Sequence, residues 1–131
     1  MLFCLESLNY REKEKGAKMD IEGITKEFPE FFYENGEPTF FDFSIEEGWI
    51  PMLRELLTEF RELKSKMKIR QIKEKYGQLR VYGDDATVGE YALIDTYCTR
   101  SMKTCEICGQ EGKLRKTNTG WFYTSCEEHV R

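Results

Sequence analysis

The sequence Cys105-Glu-Ile-Cys108 is followed, after 17 further residues, by Cys126-Glu-Glu-His129. A Cys-x-x-Cys pair and a Cys-x-x-His pair, separated by the length of a hairpin, have the spacing that places four ligands around one tetrahedral Zn²⁺. His129 is the only histidine in the 131 residues, and it stands where this arrangement requires a fourth ligand. The spacing therefore predicts a zinc site formed by Cys105, Cys108, Cys126 and His129.

The residues around these two pairs predict the local fold. Gly109 suits a zinc knuckle, a turn whose backbone amides point at the first two sulfurs, because glycine adopts conformations that a Cβ disfavours. Two strand-like runs, 113–116 and 121–124, flank a Thr/Asn/Gly turn and predict a hairpin. Ser125 is a candidate N-cap for a short helix that carries the last two ligands. Knuckle, hairpin and helix in this order predict a treble-clef-like zinc module.

Two alternatives to a structural zinc site need weighing. A disulfide between Cys105 and Cys126 is one, but the chain has five cysteines, an odd number, and shows no secretory signal. A catalytic zinc is the other, and it requires an open coordination position. Here four protein ligands fill the coordination sphere, so the sequence favours structural Zn²⁺ as the cofactor.

Length and charge limit the remaining possibilities. Residues 1–60 carry 6 basic and 14 acidic side chains, whereas residues 61–131 carry 14 basic and 10 acidic, so the two halves should present surfaces of opposite sign. A chain of 131 residues has room for one core and the small zinc module. No apolar run approaches the roughly 20 residues of a membrane span. We therefore expect no membrane association and a cytoplasmic protein.

The pattern of apolar residues predicts an α+β fold, with helices packed on a small antiparallel β-hairpin or sheet. We divide the chain into three parts. Residues 1–19 form a charged N-terminal extension, residues 20–103 form the α+β body, and residues 104–131 form the zinc module. The last helix leads into Cys105 almost without a linker, so we expect the module to be docked on the body.

Three stretches have helical periodicity. The first covers 20–33, with aromatic core residues and an interruption at Pro29. The second begins near Trp49, where Ser44 and Glu47 form a candidate capping box, and its apolar stripe consists of Ile50, Leu53, Leu56, Leu57, Phe60, Leu63 and Met67. The third is capped by Thr87 and Glu90 and runs to about Met102, with a face formed by Tyr91, Ile94, Cys98 and Met102.

Residues 68–82 favour strands on both sides of Gly77, which predicts a hairpin with its tip between Lys75 and Gln78. Ile69 and Ile72 have opposite parity, so either a bulge lies between them or one of them is exposed. The run 39–43 is either a short strand or an extended approach to the next helix.

Several motifs together resemble a known family. They are Gly48-Trp49 with Pro51, Gln71-Ile-Lys-Glu-Lys-Tyr-Gly77 with Leu79-Arg80 and Tyr82, and Cys105-Glu-x-Cys-Gly109 with Gly112, Leu114-Arg115, Gly120-Trp121, Thr124, Cys126 and His129. Over about residues 25–131 the chain resembles an uncharacterised family of small zinc-binding proteins of bacteriophages and prophages. The resemblance implies a phage or mobile-element setting in a bacterial host cell and a zinc-binding C-terminus, but no activity.

The predicted hairpin and its approach are rich in lysine and arginine. One interpretation is a surface for an acidic partner, a nucleic acid or a nucleotide, with aromatic rings as stacking platforms. Its candidate residues are Arg70, Lys73, Lys75, Arg80, Tyr82 and Trp121. The other interpretation is a solvated hairpin with salt bridges to nearby helices, and the acidic balance of the whole chain favours it.

Catalysis is not predicted. The only histidine is assigned to the metal, and no phosphate-binding glycine loop is present. The leading hypothesis is a non-catalytic, zinc-stabilised binding protein that engages a protein partner, for example as an inhibitor of host defence machinery. The alternatives are a nucleic-acid-binding accessory protein and a sponge that captures a nucleotide ligand at an oligomer interface.

Overall fold

The computed structural model describes residues 20–131, so the predicted extension at residues 1–19 lies outside the described residues. The helices are α1 (Ile21–Glu27), α2 (Pro29–Phe32), α3 (Ile50–Glu62) and α4 (Val88–Ser101), with 3₁₀ turns at Glu47–Trp49 and Glu127–His129. The strands are β1 (Tyr33–Glu34), β2 (Glu37–Pro38), β3 (Asp42–Ser44), β4 (Lys68–Lys75), β5 (Gln78–Asp84), β6 (Lys113–Lys116) and β7 (Phe122–Ser125). They form the sheets β1–β2, β3–β4–β5 and β6–β7. The predicted α+β class is confirmed.

The β4–β5 hairpin has its tip at the predicted place. Tyr76 and Gly77 connect the strands with φ angles of +57° and +79°, the left-handed pair of a two-residue hairpin turn. The pairing register shifts between Ile69 and Gln71, which marks a bulge. Ile69 and Ile72 are consequently both buried on the same side of the sheet, so the bulge is the correct one of the two predicted alternatives.

The third strand of this sheet, β3, overlaps the run 39–43, for which a short strand was one of the two predicted alternatives. β3 pairs with β4 in parallel, with Asp42 opposite Gln71 and Ser44 opposite Lys73. The sheet is therefore mixed, whereas the prediction had only antiparallel pairing. The reason is topological: α3 lies between β3 and β4 in the chain, and a crossover through a helix returns the chain in the same direction.

The core is formed by the apolar stripe of α3, Ile24 of α1, Phe28, the two phenylalanines of α2, and the inner face of the sheet. The predicted interruption at Pro29 is confirmed, because α1 ends at Glu27. Pro29 begins the separate helix α2, where a residue of the first turn does not need its N–H for a helical hydrogen bond. Leu63, predicted on the α3 stripe, is 59% exposed because the helix ends at Glu62. The Ser44–Glu47 capping box is also absent from this region, since the Ser44 hydroxyl donates to Asp42 instead.

The α4 helix begins at the predicted capping box, with Glu90 N donating to Thr87 Oγ1 at 3.1 Å and Thr87 N donating to Glu90 Oε1 at 3.0 Å. Of the four residues predicted for its buried face only Ile94 is confirmed, and the other three buried positions each lie one residue earlier in the chain. Tyr91 is 50% exposed, and the buried residues are Glu90, Ile94, Tyr97 and Ser101. The helix is rotated because Ser101 Oγ accepts a bond from Leu79 N at the edge of β5. Among residues 20–131, no helix is both long and apolar enough to span a membrane.

Candidate metal centre

The last 27 residues form a hairpin with a cysteine-containing loop on either side of it. β6 and β7 pair with Lys113 opposite Ser125 and Lys116 opposite Phe122. The chain enters this hairpin from the turn that contains the first cysteine pair and leaves it into the turn that carries the second ligand pair. The antiparallel pairing places both turns at the same end of the hairpin, which brings the two ligand pairs together.

The four predicted ligands converge. The three Sγ atoms and the imidazole nitrogen all lie within 4.8 Å of one another. Cys108 Sγ is 3.7 Å from Cys126 Sγ, and His129 Nδ1 is 3.6 Å from Cys105 Sγ and 3.2 Å from Cys126 Sγ. Cysteine sulfur and imidazole nitrogen are ligands for zinc and other soft or borderline metals. The cluster is therefore close enough to bind a metal ion.

The first turn has the hydrogen bonds of a knuckle. Gly109 N donates to Cys105 O at 3.0 Å, and Ile107 N points at Cys105 Sγ at 3.4 Å. Gly109 has a φ of +82°, a conformation that a residue with a Cβ resists, as the sequence predicted. Backbone N–H groups directed at a sulfur stabilise its thiolate form, which is the form that binds metals.

Two thiols of the cluster, those of Cys105 and Cys108, have very different pKa values. Burial opposes ionisation of Cys105, but backbone N–H groups of Cys108, Cys126 and Ile107 outweigh it and lower the pKa of Cys105 to about 6. Burial, together with hydrogen bonding to the other two thiols, raises the pKa of Cys108 to about 12. One thiolate beside another is unfavourable unless a cation neutralises the pair. The charges of the cluster thus suit a bound cation.

The second ligand pair differs from the prediction in its local structure. Ser125 is the buried last residue of β7 and donates its hydroxyl to Cys126 O at 2.9 Å, so it does not cap a helix. Cys126 occupies the N-cap position, and His129 is reached through a 3₁₀ turn rather than an α-helix. The difference arises because pairing of Ser125 with Lys113 extends the strand up to the ligand.

The knuckle lies directly against the N-terminus of α3. Gly48 N donates to Glu106 O at 2.8 Å, and Trp49 Nε1 donates to Thr104 O at 2.8 Å. A Cβ placed on Gly48 would be only 2.2 Å from Cys105 O. Glycine permits this close approach of two backbones. The contacts agree with the expected docking of the module, while the boundaries 1–19, 20–103 and 104–131 stay a prediction.

Glu106 is a buried acid that the sequence did not single out. Its carboxylate accepts a 2.7 Å hydrogen bond from Thr124 N, and its own backbone N donates to Thr124 O at 3.0 Å. Burial raises the pKa of Glu106, although the bond from Thr124 opposes this effect. Thr124 Oγ1 in turn donates to Gly77 O at 2.7 Å. Glu106 and Thr124 therefore join the knuckle, the β6–β7 hairpin and the β4–β5 tip.

The cysteines of the described residues are all free thiols, so the predicted alternative of a disulfide is not formed there. Cys98 lies apart from the cluster, partly buried on α4, and burial raises its pKa to about 11 against the opposing charge of Arg80. The Arg80 Nε atom is buried and has no hydrogen-bond partner among the described residues.

Four of the six candidate anion-binding residues share one face of the β3–β4–β5 sheet. Lys73 lies opposite Arg80, Lys75 opposite Gln78, and Tyr82 opposite Gln71. Residues directly opposite each other in an antiparallel pair point to the same face, and like charges in such a pair repel each other. Hydrogen bonds from Gln71 and Ser44, with a smaller effect of the Lys73 charge, lower the pKa of Asp42 on this face.

The other two candidates lie elsewhere. Arg70 Nη1 donates to Thr39 O at 3.0 Å, and its Nε lies 3.7 Å from an Asp84 carboxylate oxygen, so its charge is already engaged. Trp121 follows the β6–β7 turn, where its backbone N donates to Thr117 Oγ1 at 3.0 Å. The six residues consequently do not form a single site.

The comparisons add no relative to these observations. The chain matches no protein-family model, no curated protein and no solved structure.

Proposed function

We propose that Cys105, Cys108, Cys126 and His129 bind one structural Zn²⁺ and that the protein is a non-catalytic binding protein. The observation that carries the proposal is the convergence of four side-chain ligands within 4.8 Å of one another. Four protein ligands complete a tetrahedral sphere, and structural zinc sites are of this closed kind. Three cysteines and one histidine are a common set of ligands for such sites.

The distances between the ligand atoms support zinc. Two sulfurs, each about 2.3 Å from a tetrahedral zinc, stand roughly 3.8 Å apart, and a sulfur and an imidazole nitrogen stand roughly 3.5 Å apart. The Cys108–Cys126 sulfur separation is 3.7 Å, and the distance from Cys105 Sγ to His129 Nδ1 is 3.6 Å. The distance from Cys126 Sγ to His129 Nδ1 is shorter, at 3.2 Å, and all four ligand atoms lie within 4.8 Å of one another. These separations are close to those of a tetrahedral zinc site.

We further propose that the module is of the treble-clef type. A knuckle, a hairpin and a short helical turn follow one another in the order typical of that arrangement, and ligands lie in the first and last of them. The 3₁₀ turn at Glu127–His129 is shorter than the helix expected there. The proposal concerns the path of the chain around the metal and does not depend on the length of this turn.

The residues of the chain suggest what the metal site does. When bound, Zn²⁺ would supply the positive charge that neutralises the cysteine thiolates. The knuckle backbone abuts Gly48, and Thr124 of β7 bonds to Gly77. A hairpin of two four-residue strands is too small to keep this position by its own core. Cross-linking of its two ends by the four ligands would keep it against the body.

The partner of the protein is proposed to be a macromolecule. The only histidine of the chain belongs to the metal cluster, which leaves no imidazole for acid–base catalysis. The resemblance to phage-associated zinc proteins is what supports a role in a bacterial host, with inhibition of host defence machinery as one form of it. A protein partner with that role stays a prediction.

Metal analysis combined with native mass spectrometry of the untagged protein tests the zinc proposal. We expect one zinc per chain in the wild type, and loss of that zinc together with unfolding of residues 105–131 in Cys108→Ser and His129→Ala. Cys98→Ala is the matched control because it removes a thiol outside the cluster, and it should keep its zinc. Wild-type protein that is fully ordered but empty of metal would refute the proposal.

A further inference from the structure

An exposed surface of aromatic and basic residues forms where the two hairpins meet. We call it the hairpin-tip surface and define it as Lys75 and Tyr76 of the β4–β5 tip together with Leu114, Lys116 and Phe122 of the β6–β7 hairpin.

The pairing register of the β6–β7 hairpin brings the residues of this surface together. Leu114 lies opposite Thr124 and Lys116 opposite Phe122, so all four side chains are on one face of the β6–β7 hairpin. Thr124 Oγ1 donates to Gly77 O, and a Cβ on Gly77 would be 2.5 Å from Leu114 Cδ1. This face therefore contacts the β4–β5 tip immediately beside Tyr76.

Each ring of the surface is accompanied by a cation. Lys75 Nζ is 5.7 Å from the centroid of the Tyr76 ring, and Lys116 Nζ is 5.4 Å from that of Phe122. The exposed fractions are 62% for Tyr76, 40% for Leu114 and 38% for Phe122. Neither lysine forms an ion pair with any residue in the range 20–131. Two lysines without an ion-pair partner thus accompany two exposed rings, although the Glu74 carboxylate also lies at the tip, where it accepts a 2.8 Å hydrogen bond from Gly77 N.

The backbone at Tyr76 is a second, independent observation. Its φ of +57° lies in the left-handed region, which glycine and asparagine adopt far more readily than an aromatic residue. The ring that is placed at this unfavourable position is nevertheless largely exposed, so burial in the core does not compensate the strain. Strained backbone of this kind is concentrated at functional sites.

We propose that the hairpin-tip surface binds single-stranded nucleic acid. Unpaired bases would stack on Tyr76 and Phe122, and Lys75 and Lys116 would contact phosphates. This combination of exposed rings and cations is the one that single-strand binders use, and it tolerates any sequence because every base has a flat face. Lys75 also belongs to the sheet face that carries Lys73 and Arg80, so the positive charge extends beyond the tip.

An acidic protein is the competing partner, and the observations favour it less. A peptide that docks as a helix requires an apolar groove. The shallow crevices in the described part of the chain lie between α3 and α4, and they are lined by glutamates such as Glu55, Glu59 and Glu62. They therefore have the wrong charge for an acidic partner. The hairpin-tip surface instead presents rings to solvent.

The inference rests on the proposed zinc site, because the cluster would hold Leu114, Lys116 and Phe122 against the tip. Fluorescence anisotropy of the zinc-loaded full chain with a labelled oligothymidylate of about 20 nucleotides tests it, since small single-strand modules cover roughly 4–16 nucleotides. We expect saturable binding that weakens with salt, and weaker binding to a duplex of equal length.

Tyr76→Asn is the most informative variant. Asparagine suits the left-handed turn, so the substitution removes the ring while preserving the backbone. We expect it, and likewise Phe122→Thr, to weaken binding about 10-fold, in the range that loss of one stacked base produces. Tyr91→Ala on α4 removes a ring that is 50% exposed and lies outside the hairpin-tip surface, and it should leave the affinity unchanged.

A charge pair completes the design. Lys116→Glu should weaken binding and reduce the slope of log K against log salt by at least roughly 0.7, the value for one phosphate contact on a single strand. Lys66→Glu is the matched control, because it makes the same charge change just before the start of β4, at the end of that strand away from the tip. At roughly 3.3 Å per strand residue, Lys66 is about 25 Å from the tip. Its effect on the affinity should be much smaller.

Three results would overturn the inference while leaving the zinc proposal intact. One is a zinc-loaded wild type that does not bind the oligonucleotide. Another is unchanged affinity in Tyr76→Asn and Phe122→Thr at wild-type zinc content. The third is displacement of the oligonucleotide by an equal charge concentration of poly-glutamate, which would indicate an acidic protein partner. A wild type without zinc would instead contradict the proposed metal site, and the metal analysis separates these cases.

Discussion

Replacing Gly48 by alanine would test whether the knuckle is docked at the N-terminus of α3. Gly48 belongs to the 3₁₀ turn Glu47–Trp49, and its φ is not among the positive ones, so alanine itself is not strained there. The added Cβ would lie 2.2 Å from Cys105 O and 2.5 Å from Glu106 O. Both neighbours are backbone atoms of the knuckle, which cannot rotate away as a flexible side chain does. The knuckle must therefore move by about 1 Å or more.

The structure sets the size of the expected effect. Overpacking a tight contact costs about 1–3 kcal/mol. If the knuckle moves away, the bonds from Gly48 N to Glu106 O and from Trp49 Nε1 to Thr104 O weaken as well, at about 0.5–1.5 kcal/mol each. We expect a total loss of roughly 2–6 kcal/mol in the free energy of unfolding, which for a chain of this size lowers Tm by about 10 °C or more.

Thermal unfolding followed by near-UV circular dichroism and tryptophan emission measures this loss. Trp49 is fully buried beside the contact, so its emission should shift to the red when the knuckle undocks. Gly89→Ala is the matched control, because its Cβ would meet nothing closer than 3.9 Å and its place in α4 favours alanine by about 1 kcal/mol. If Gly48→Ala melts like the wild type with unchanged tryptophan emission, the docking contact is not what the structure indicates.

Two further substitutions have defined outcomes. Thr87→Ala removes the hydroxyl that accepts from Glu90 N, while the bond from Thr87 N to Glu90 Oε1 can remain. The substitution should cost about 1 kcal/mol in denaturant unfolding, whereas Thr99→Ala, exposed in the same helix, should cost little; equal effects would contradict the capping role. Burial and the hydrogen bond to Glu59 raise the pKa of Tyr97 to about 12, from 10.0 in the unfolded chain. Because the folded state keeps this proton to higher pH, its stabilising effect is complete below pH 10 and is lost as the pH rises to about 12. Tyr97→Phe should therefore lose less stability than the wild type over that interval in urea unfolding, and parallel curves would argue against the effect.

Local features were the ones that the sequence predicted well. Cys105, Cys108, Cys126 and His129 could be grouped because ligand spacing within one hairpin depends on few residues. The capping box at Thr87 and the hairpin tip at Gly77 were predicted for a similar reason, because each depends on residues within four positions of one another. The bulge in β4 was one of two predicted alternatives, because two apolar residues of opposite parity cannot share a face of a regular strand.

Contacts between distant residues could not be obtained in this way. The parallel pairing of Asp42 with Gln71 depends on how α3 returns the chain. The buried face of α4 depends on a bond between Ser101 and the edge of β5, which periodicity alone does not reveal. The burial of Glu106 depends on the approach of Thr124, whose backbone N donates to the Glu106 carboxylate from 18 residues away in the chain.

The amino-acid sequence by itself therefore determined which four side chains form the cysteine–histidine cluster, where the main hairpin turns and where α4 begins. The tertiary structure alone decided which basic residues share a face and that Tyr76 meets the β6–β7 hairpin. The physical reason is the range of the interactions. Ligand spacing, caps and turns are fixed by the covalent geometry of a few neighbouring residues, whereas docking is the outcome of packing among segments that lie far apart in the chain.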